Sequence, residues 1–540
     1  MAPRSLGRSI PPRLAPWKLA LSEAFVDTRT SLRALVPLLL AAIVGLMTAD
    51  AGFVYDDRSA ILESPVVQGE VPFWEAFVRD YWGRPASEGV NSWRPVMPMV
   101  WAMLPSSPVA YHLLSVLLHV LATGLAFRLS LVLRPSEPWA LSVASLFAVH
   151  PLHAEAVGAI VAQSDLLSFS LVLVACLLAL KPVTPGRGVA IGWALLCAAV
   201  VKESAVIFAP LLVALVALQD EPRRVRILGA LPTGIVTLGV VGFQLSLPRR
   251  DAVAGWGNTL AHYVDGADRV LLGLHNVGRA VAMSFWPHPL APSHGYAAID
   301  PSWGTLGPMA LVGAVLLAVG VTAGVWALRR CRLDWICAVA FVYAPALLQS
   351  HWFVRLITDL AERLLYPAAL GASMMVSAFL FAAIDRLPLR RVAFAVLVVS
   401  GLLLGVPARR AWISGEALWS HGVLTEPKAM RHHYNLSSAL LLRDTDDAQT
   451  LSAAAYHRLI AIYLVNRFPE PANWEPIDAL DAFPLEDRFV ELPEALYPDQ
   501  PCRVVVAFLR QNESLVALRG HVLSRWAKRY PGCFRRPESP

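Results

Sequence analysis

The chain has 540 residues, of which 56% are hydrophobic and only 16% are charged, and its mean hydropathy is +0.52. Soluble domains carry roughly 25% charged residues, so the composition excludes an ordinary soluble enzyme and predicts an integral, multi-pass membrane protein. The net charge of +6 does not indicate a nucleic-acid partner, because the basic residues lie at the ends of apolar runs.

The apolar runs predict an all-α fold with about eleven transmembrane helices. These runs cover residues 32–48, 111–133, 138–149, 156–180, 188–201, 204–218, 227–247, 306–328, 335–348, 364–384 and 392–406. A further run, 270–286, contains Arg279 and ends at WPHPLAP. This run fits a full span or a re-entrant or interfacial helix.

Basic residues in alternate short loops predict the orientation of the spans. These residues are Arg128, Arg134, Lys181, Arg187, Arg223, Arg224, Arg226, Arg329, Arg330, Arg332, Arg386, Arg390 and Arg391. The pattern is regular if 270–286 does not cross, which makes the number of spans odd. We therefore expect a cytoplasmic N-terminus, an extracytoplasmic C-terminus and the main polar loops together on the outer face, as in a bacterial inner-membrane protein with a periplasmic C-terminus.

Three regions follow from this topology. Residues 1–31 form a cytoplasmic segment, residues 32–407 a transmembrane domain with a large first external loop at 49–110, and residues 408–540 an extracytoplasmic helical domain.

In the last region, 418–442 and 448–468 have apolar residues at helical spacing and predict a helical hairpin like one degenerate tetratricopeptide unit. The same region holds Cys502 and Cys533. An oxidising compartment favours a disulfide between them, and two free buried thiols are the alternative.

Two adjacent carboxylates, Asp56 and Asp57, follow the first predicted span. Adjacent carboxylates at a membrane surface serve as a general base, bind a divalent cation, or remain solvated loop residues. A divalent cation is the one cofactor that this pair leaves open. Farther along the loop, Arg94 stands where a guanidinium binds a phosphate bidentately or extends to lipid headgroups.

A tight turn between two predicted spans, HPLHAE, holds His150, His153 and Glu155. The set resembles a metal site but lacks the HExxH spacing that places ligands on one helical face, so substrate hydrogen bonding and turn stabilisation are the stronger interpretations. Asp165 lies well inside an apolar run, and intramembrane acids indicate function by default.

Two further charged pairs border apolar runs. Lys202 and Glu203 separate two runs and form either an ion pair or a phosphate contact with its orienting carboxylate. Glu362 and Arg363, in AERLLYP, begin another span from the predicted outer side.

The segments FVYDD, SWRP, YHLLSVLLH, FAVHPLHAEAV, VKES and AERLLYP occur in this order. Their order resembles that of the transmembrane O-mannosyltransferases with tetratricopeptide repeats and their bacterial relatives, which are glycosyltransferases of the GT-C class. The resemblance covers roughly residues 30–410. It implies helices around an extracytoplasmic site, a sugar donor carried on polyprenyl phosphate, and an acid in the first external loop that deprotonates the acceptor.

The resemblance places the catalytic acid at Asp57 or Asp56. The other matched positions, implied in donor or acceptor binding, are Arg94, His112, His119, His150, His153, Glu155, Asp165, Lys202, Glu203, Glu362 and Arg363. The chain departs from the family pattern at Gln163, where an arginine is usual, and at Ser115, where an asparagine is common. The C-terminal region 408–540, which we call the tail, also lacks the long repeat array of the animal members.

The leading hypothesis is transfer of a hexose, which the resemblance implies is mannose, from a polyprenyl-phosphate donor to a hydroxyl of an extracytoplasmic protein or glycan. Membrane lipid is the other expected partner. The alternative is a catalytically inactive membrane protein that binds envelope glycan-lipids or protein partners, which Gln163 and the short tail favour. A transporter ranks third, because no inverted repeat is evident and the polar groups cluster on one face.

Overall fold

The computed structural model describes residues 32–85, 92–247, 260–262, 264–295, 303–356, 358–442, 448–466, 502 and 524–534. Across these ranges the fold is α-helical, and the β-pairing consists of two isolated bridges, Arg79 with Pro85 and His294 with Leu360. The prediction of an all-α fold is confirmed for this part of the chain. The predicted cytoplasmic segment, 1–31, lies outside the described residues.

Long apolar helices dominate this fold. In the described ranges, six are long and apolar enough to cross a membrane by length and composition: Pro108–Leu133, Ile160–Ala179, Arg223–Ser246, Leu306–Arg329, Glu362–Ala383 and Leu387–Ala411. Shorter apolar helices are Leu32–Leu46, Glu137–Val149, Pro185–Val201, Glu203–Ala217 and Leu333–Leu348. The six long helices support a multi-pass membrane protein. That the five shorter helices also cross, as the predicted topology requires, stays a prediction.

We number the α-helices in chain order. The first group is α1 (Leu35–Leu46), α2 (Val96–Trp101), α3 (Pro108–Leu133), α4 (Glu137–Val149), α5 (His153–Gly158), α6 (Gln163–Ala179) and α7 (Pro185–Val201). The second group is α8 (Ala209–Ala217), α9 (Arg223–Ser246), α10 (Gly266–Phe285), α11 (Trp303–Arg329) and α12 (Leu333–Leu348). The last group is α13 (Tyr366–Ala383), α14 (Leu387–Ala411), α15 (Gly415–Thr425), α16 (Met430–Leu441) and α17 (Ala448–Asn466).

An aromatic cluster marks the centre of the helix bundle. Phe169 of α6 packs edge-on against Phe341 of α12 and Tyr366 of α13, with ring centroids 5.6 and 5.7 Å apart. Helices α9, α11 and α14 lie outside this core and expose most of their apolar side chains. Exposed apolar helices of this length are expected where lipid replaces water as the solvent.

Helix α10 corresponds to the ambiguous run 270–286. It buries a stripe that includes Leu272, Asn276 and Val277 and is not among the helices apolar enough to cross the membrane in the described ranges. Its close partner is α11, because a Cβ atom on Gly278 would lie 2.7 Å from a backbone oxygen of that helix.

The predicted span 156–180 corresponds to the candidate membrane span Ile160–Ala179, but the helix is interrupted near the start of the predicted run. Helix α5 ends at Gly158, Ala159 is extended, and a short 3-10 turn leads into α6 at Gln163. The loop at 49–110, predicted to be external, binds the freed backbone groups of Val161. The Asp57 carboxylate accepts from the Val161 N–H at 3.0 Å, and the Tyr81 hydroxyl donates to the Val161 carbonyl at 2.7 Å. Non-helical backbone at membrane depth requires such protein partners.

The predicted helix 418–442 is also divided. Helix α15 ends at Thr425 and α16 begins at Met430, because Pro427 lacks an N–H and restricts the residue before it to extended backbone. Helices α16 and α17 pack against each other as the two arms of the predicted hairpin.

The tail packs on the loop at 49–110, which we call the first loop. Trp419 lies edge-on to Tyr55 with ring centroids 4.8 Å apart, and the Gly52 N–H donates to the Ile413 carbonyl at 3.2 Å. A disulfide joins Cys502 and Cys533, and Cys533 packs beside this shared apolar core.

The contact between Gly158 and Trp412 provides a test of how tightly the tail is fixed. A Cβ atom on Gly158 would lie 2.6 Å from the buried Trp412 ring, so Gly158→Ala should destabilise the fold by about 1–3 kcal/mol through overpacking. Thermal unfolding in detergent measures this loss. Gly186→Ala is the matched control, since its Cβ would meet nothing within 4 Å. Equal melting temperatures for the two variants would contradict the close packing.

Candidate functional site

The two adjacent acids of the first loop have different surroundings. Tyr55 adopts a left-handed backbone conformation, with φ of 55°, which is unusual for a residue with a bulky side chain and is found at functional sites. Asp57 is fully buried, and its Oδ2 and Oδ1 accept from the N–H groups of Val54 at 3.3 Å and Val161 at 3.0 Å. Burial raises the pKa of Asp57 to about 7 despite these hydrogen bonds. Asp57 thus joins the first loop to the break before α6.

Asp56 is half-buried, and no other described residue hydrogen-bonds to its carboxylate. Burial raises the pKa of Asp56, and the charges of Arg363 and Arg431 oppose that rise. The carboxylate therefore lies within the field of two guanidinium groups and remains open to a ligand. Of the two adjacent acids, Asp56 is the one whose carboxylate oxygens accept no hydrogen bond from a described residue.

Arg363 is held by Glu155. Its Nη1 donates to Glu155 Oε1 at 2.7 Å, and its backbone N–H donates to Oε2 at 2.8 Å. This pairing fixes the short α5 helix to the start of the span that contains Arg363. A guanidinium has five N–H donors, so the pair leaves Arg363 able to bind a further anion.

A second charged group lies next to the first. Arg94 binds Glu203 bidentately, with nitrogen–oxygen distances of 2.8 and 2.5 Å, and stacks over the Tyr81 ring. The Lys202 ammonium donates to Asp165 at 2.5 Å, and both side chains are more than nine-tenths buried.

These two ion pairs interact electrostatically with the pair formed by Arg363 and Glu155. The charges of Arg94 and Arg363 both act on Lys202. Asp165 Oδ2 has no hydrogen-bond partner among the described residues. Asp165 and Lys202 line a cavity of about 30 Å³ that Leu364 and Pro367 also border.

The histidines of the HPLHAE turn bond to backbone. His153 Nε2 lies 2.6 Å from the Phe147 carbonyl, and His150 Nε2 lies 3.2 Å from the Ser284 carbonyl. A carbonyl only accepts, so the Nε2 atom of each ring donates and is not available as a metal ligand. His150 Nδ1 in turn accepts from the Leu152 N–H at 3.3 Å. Within the described ranges no group of three His, Cys, Asp or Glu residues is arranged to hold a metal ion. The geometry matches the turn-stabilising interpretation.

Two other histidines predicted from the YHLLSVLLH segment also have structural partners. His119 lies 2.8 Å from the Tyr366 hydroxyl and 3.1 Å from the Ala148 carbonyl. His112 Nε2 lies 3.3 Å from the Gly52 carbonyl, next to the start of the first loop.

The two positions that depart from the family pattern contact each other. The Gln163 amide nitrogen donates to Ser115 Oγ at 2.9 Å and to the Tyr111 carbonyl at 2.7 Å, while the Trp101 indole donates to its oxygen at 2.8 Å. The Gln163 side chain is therefore buried with both its amide nitrogen and its amide oxygen hydrogen-bonded, and these bonds connect α2 and α3 to α6.

The structure also contains a buried cluster around His294 that the sequence did not predict. This imidazole is fully buried, and its two nitrogens lie 2.9 Å from Glu362 and 2.5 Å from Glu426. Only a doubly protonated ring donates to two carboxylates. Arg279 also contacts Glu426, at 2.9 Å. The cluster joins the tail residue Glu426 to Glu362, the neighbour of Arg363.

The electrostatics of this cluster favour the charged forms of His294 and Glu426. Burial lowers the pKa of His294, but its interactions with Glu426 and Glu362 together outweigh burial and raise it to about 9. Burial raises the pKa of Glu426, but His294 and Arg279 outweigh it and lower the value to about 2. Arg279 was visible in the sequence as a charge inside an apolar run, whereas His294 and Glu426 carry no spacing signal, because they are 132 residues apart.

The His294 cluster should make stability depend on pH. A pKa raised from 6.5 to about 9 gives a contribution that is complete below pH 6.5 and lost as the pH rises through 9. The melting temperature should therefore fall over this window, and Glu426→Gln should move the fall to lower pH. Glu416→Gln changes an acid in the first turn of α15, the helix that ends just before Glu426. This variant is the control and should leave the profile in place. An unchanged profile in Glu426→Gln would exclude the coupling.

The buried pair Lys202–Asp165 should be costly to break. Lys202→Met leaves a carboxylate buried without its cation, so we expect a loss of about 3–5 kcal/mol. The double variant Lys202→Met with Asp165→Asn should recover much of that loss. Arg332→Gln, which breaks an exposed ion pair with Asp334, should cost less than about 1 kcal/mol. Additive losses in the double variant, measured by thermal unfolding, would argue against a direct interaction.

Comparison with known proteins gives several relatives with one description. Over 135 residues, or 24% of this chain, it is 42% identical to Protein O-mannosyl-transferase Tmtc1 of Drosophila melanogaster, of which the match covers 16%. Over 430 residues, or 76% of this chain, it is 25% identical to Protein O-mannosyl-transferase F38B6.6 of Caenorhabditis elegans, of which the match covers 60%. It is 32% identical over 141 residues, 24% of this chain, to 15% of human Protein O-mannosyl-transferase TMTC3.

Each of these matches spans less than two thirds of the relative's own length. No family model matches the chain, and no solved structure matches it. The resemblance predicted from the ordered motifs is nevertheless confirmed: the chain is similar in sequence to the TMTC protein O-mannosyl-transferases, and with one of them over 76% of its length.

Proposed function

We propose that this protein is a membrane glycosyltransferase of the GT-C class that moves a hexose, mannose by analogy with its relatives, from a polyprenyl-phosphate carrier to a hydroxyl of an extracytoplasmic protein or glycan. The observation that carries the proposal is the position of Asp56. It is a half-buried carboxylate in the field of Arg363 and Arg431, in a chain whose relatives are named protein O-mannosyl-transferases.

In this mechanism Asp56 is the general base. Its carboxylate takes the proton of the acceptor hydroxyl, and the acceptor oxygen attacks C1 of the sugar from the face opposite the phosphate. The bond between C1 and the phosphate oxygen breaks, and polyprenyl phosphate leaves with both electrons of that bond, so the configuration at C1 inverts. Asp57 is less suited to this role, because both of its oxygens already accept backbone hydrogen bonds.

The leaving phosphate requires positive charge next to the base. Arg363, Arg94 and Lys202 provide it, and each is held by a carboxylate, Glu155, Glu203 or Asp165 respectively. Cations oriented before the reaction stabilise the charge that develops on a leaving group without reorganisation at that moment. The apolar helices would bind the isoprenoid chain of the carrier.

The tail would bind the acceptor. It contributes Arg431 to the surroundings of Asp56 and packs Trp419 on Tyr55, so it closes over one side of the acid. The orientation inferred from the basic loops places this face outside the cytoplasm, in a bacterial inner membrane with a periplasmic C-terminus.

A catalytically inactive glycan-lipid-binding protein is the second candidate. The observation that favours it is Gln163, which stands where the family usually has an arginine. Its side chain hydrogen-bonds to Trp101, Tyr111 and Ser115. Against it, Arg94 and Lys202 still surround Asp165 with positive charge. Absence of transfer by the wild-type protein with several polyprenyl-phosphate sugars would decide for the inactive protein.

Asp56→Asn tests the proposed base. Loss of general-base catalysis costs about 10²–10⁴-fold in rate, so we expect this loss in transfer of labelled mannose from polyprenyl-phosphate mannose to envelope protein acceptors. The melting temperature should change little, because no described residue hydrogen-bonds to this carboxylate. Near-wild-type transfer by a folded Asp56→Asn protein would remove Asp56 from the mechanism.

The neighbouring variant Asp57→Asn is the matched comparison. An amide oxygen can replace only one of the two acceptors that Val54 and Val161 use, so this variant should lose stability, by about 1–3 kcal/mol. If Asp57→Asn instead keeps its stability and loses transfer, Asp57 and not Asp56 is the base.

A further inference from the structure

A second polar cavity lies at the opposite end of the bundle from Asp56. It has a volume of about 380 Å³ and lies where α3, α6 and α8 end and α12 begins. In α3, Tyr111 lies near the candidate site and Leu133 borders this cavity. At 1.5 Å per residue, the helix rises by about 33 Å between these two residues, so the candidate site and the cavity are separated by about that distance. That distance is close to the thickness of the hydrocarbon core of a bilayer, so the cavity lies at the level of the other membrane surface.

Arg134 is the cation that this cavity offers to a ligand. Its guanidinium lies over the ring of the buried Trp139, 5.7 Å from the centroid, which is within the range of a cation–π contact. No described residue accepts a hydrogen bond from its side chain. Arg332, the other cation of the wall, is already bound bidentately by Asp334 at 3.0 and 2.7 Å.

The remaining wall of the cavity is apolar. Leucines and an alanine from the ends of three helices form it: Leu133, Ala179, Leu180, Leu215 and Leu218. The loop beside it is fixed by Gln219, which accepts from the Val183 N–H at 2.7 Å and donates to the Ala179 carbonyl at 2.6 Å. The cavity thus combines one available guanidinium with a preformed apolar surface, which suits an amphipathic anion.

We propose that this cavity binds the phosphodiester headgroup of an anionic phospholipid from the leaflet opposite the Asp56 face. Arg134 would donate to the phosphate oxygens, and the leucines would contact the first methylene groups of the acyl chains. The neighbouring loops are those whose arginines and lysine predict the cytoplasmic side, and basic pockets between helices on that side bind anionic headgroups. This site does not depend on the proposed sugar transfer.

Lipid binding by the full chain tests the proposal. The detergent-solubilised protein is titrated with phosphatidylglycerol or phosphatidylcholine, and bound lipid is counted by native mass spectrometry. We expect phosphatidylglycerol to be preferred and Arg134→Gln to weaken that binding about tenfold, as for loss of a charge-assisted hydrogen bond. Arg330→Gln removes the same charge from an exposed residue of the neighbouring loop and should leave the binding unchanged.

Three results would overturn the proposal. Equal loss in Arg134→Gln and Arg330→Gln would indicate general attraction by the basic loops. Retention of phosphatidylglycerol by Arg134→Gln would place the lipid elsewhere. Binding of inorganic phosphate or glycerol 3-phosphate as tight as that of the lipid would assign the cavity to a soluble phosphate compound.

Arg134→Lys guards against a folding defect, because it keeps the charge while removing the planar fork. It should fold and bind the lipid more weakly than the wild type. Sugar transfer is measured in parallel, so that failure of the lipid site and failure of the glycosyltransferase proposal are separate outcomes.

Discussion

Charge inside an apolar bundle is costly unless each charged group meets a partner, and this constraint organises the candidate site. Arg363 pairs with Glu155 across 208 residues of sequence, and Arg94 pairs with Glu203 across 109. The first pair joins α5 to the segment just before α13, and the second joins the loop at 49–110 to the segment just before α8. The pairs that keep the cations charged therefore also set the positions of the segments that carry them.

The same constraint ties the tail to the membrane domain. Glu426 of the tail is charged beside the buried His294, which in turn contacts Glu362, the residue before Arg363. Apolar packing reinforces the connection, because Trp412, Trp419 and Trp526 share one buried cluster with Tyr81 of the first loop. The contacts from Glu426 to His294 and from His294 to Glu362 therefore connect the tail to the residue before Arg363, so the two predicted domains meet at the candidate site.

The long helices could largely be predicted from the sequence, because a segment that spans lipid must be long and apolar whichever helices it packs against. The charged candidates were predictable too, since an acid such as Asp165 within an apolar run is expensive and stands out. Their pairings were not, because ion pairs across 37 to 208 residues leave no local pattern. The break at Ala159 was missed for a related reason: its partners, Asp57 and Tyr81, lie in a distant loop.

Asp56 and Asp57 have different surroundings, which depend both on the local backbone conformation and on charged residues that are distant in sequence. The left-handed turn at Tyr55 directs one acid into the protein, where backbone N–H groups hold it, and leaves the other beside two guanidinium groups. Burial raises the pKa of Asp56 while Arg363 and Arg431 limit the rise. A carboxylate with a raised pKa is a stronger base than one in water. In the proposed mechanism, the cations that keep Asp56 ionised also bind the phosphate of the donor. The proposed base and the proposed phosphate site are therefore adjacent, because one set of charges serves both.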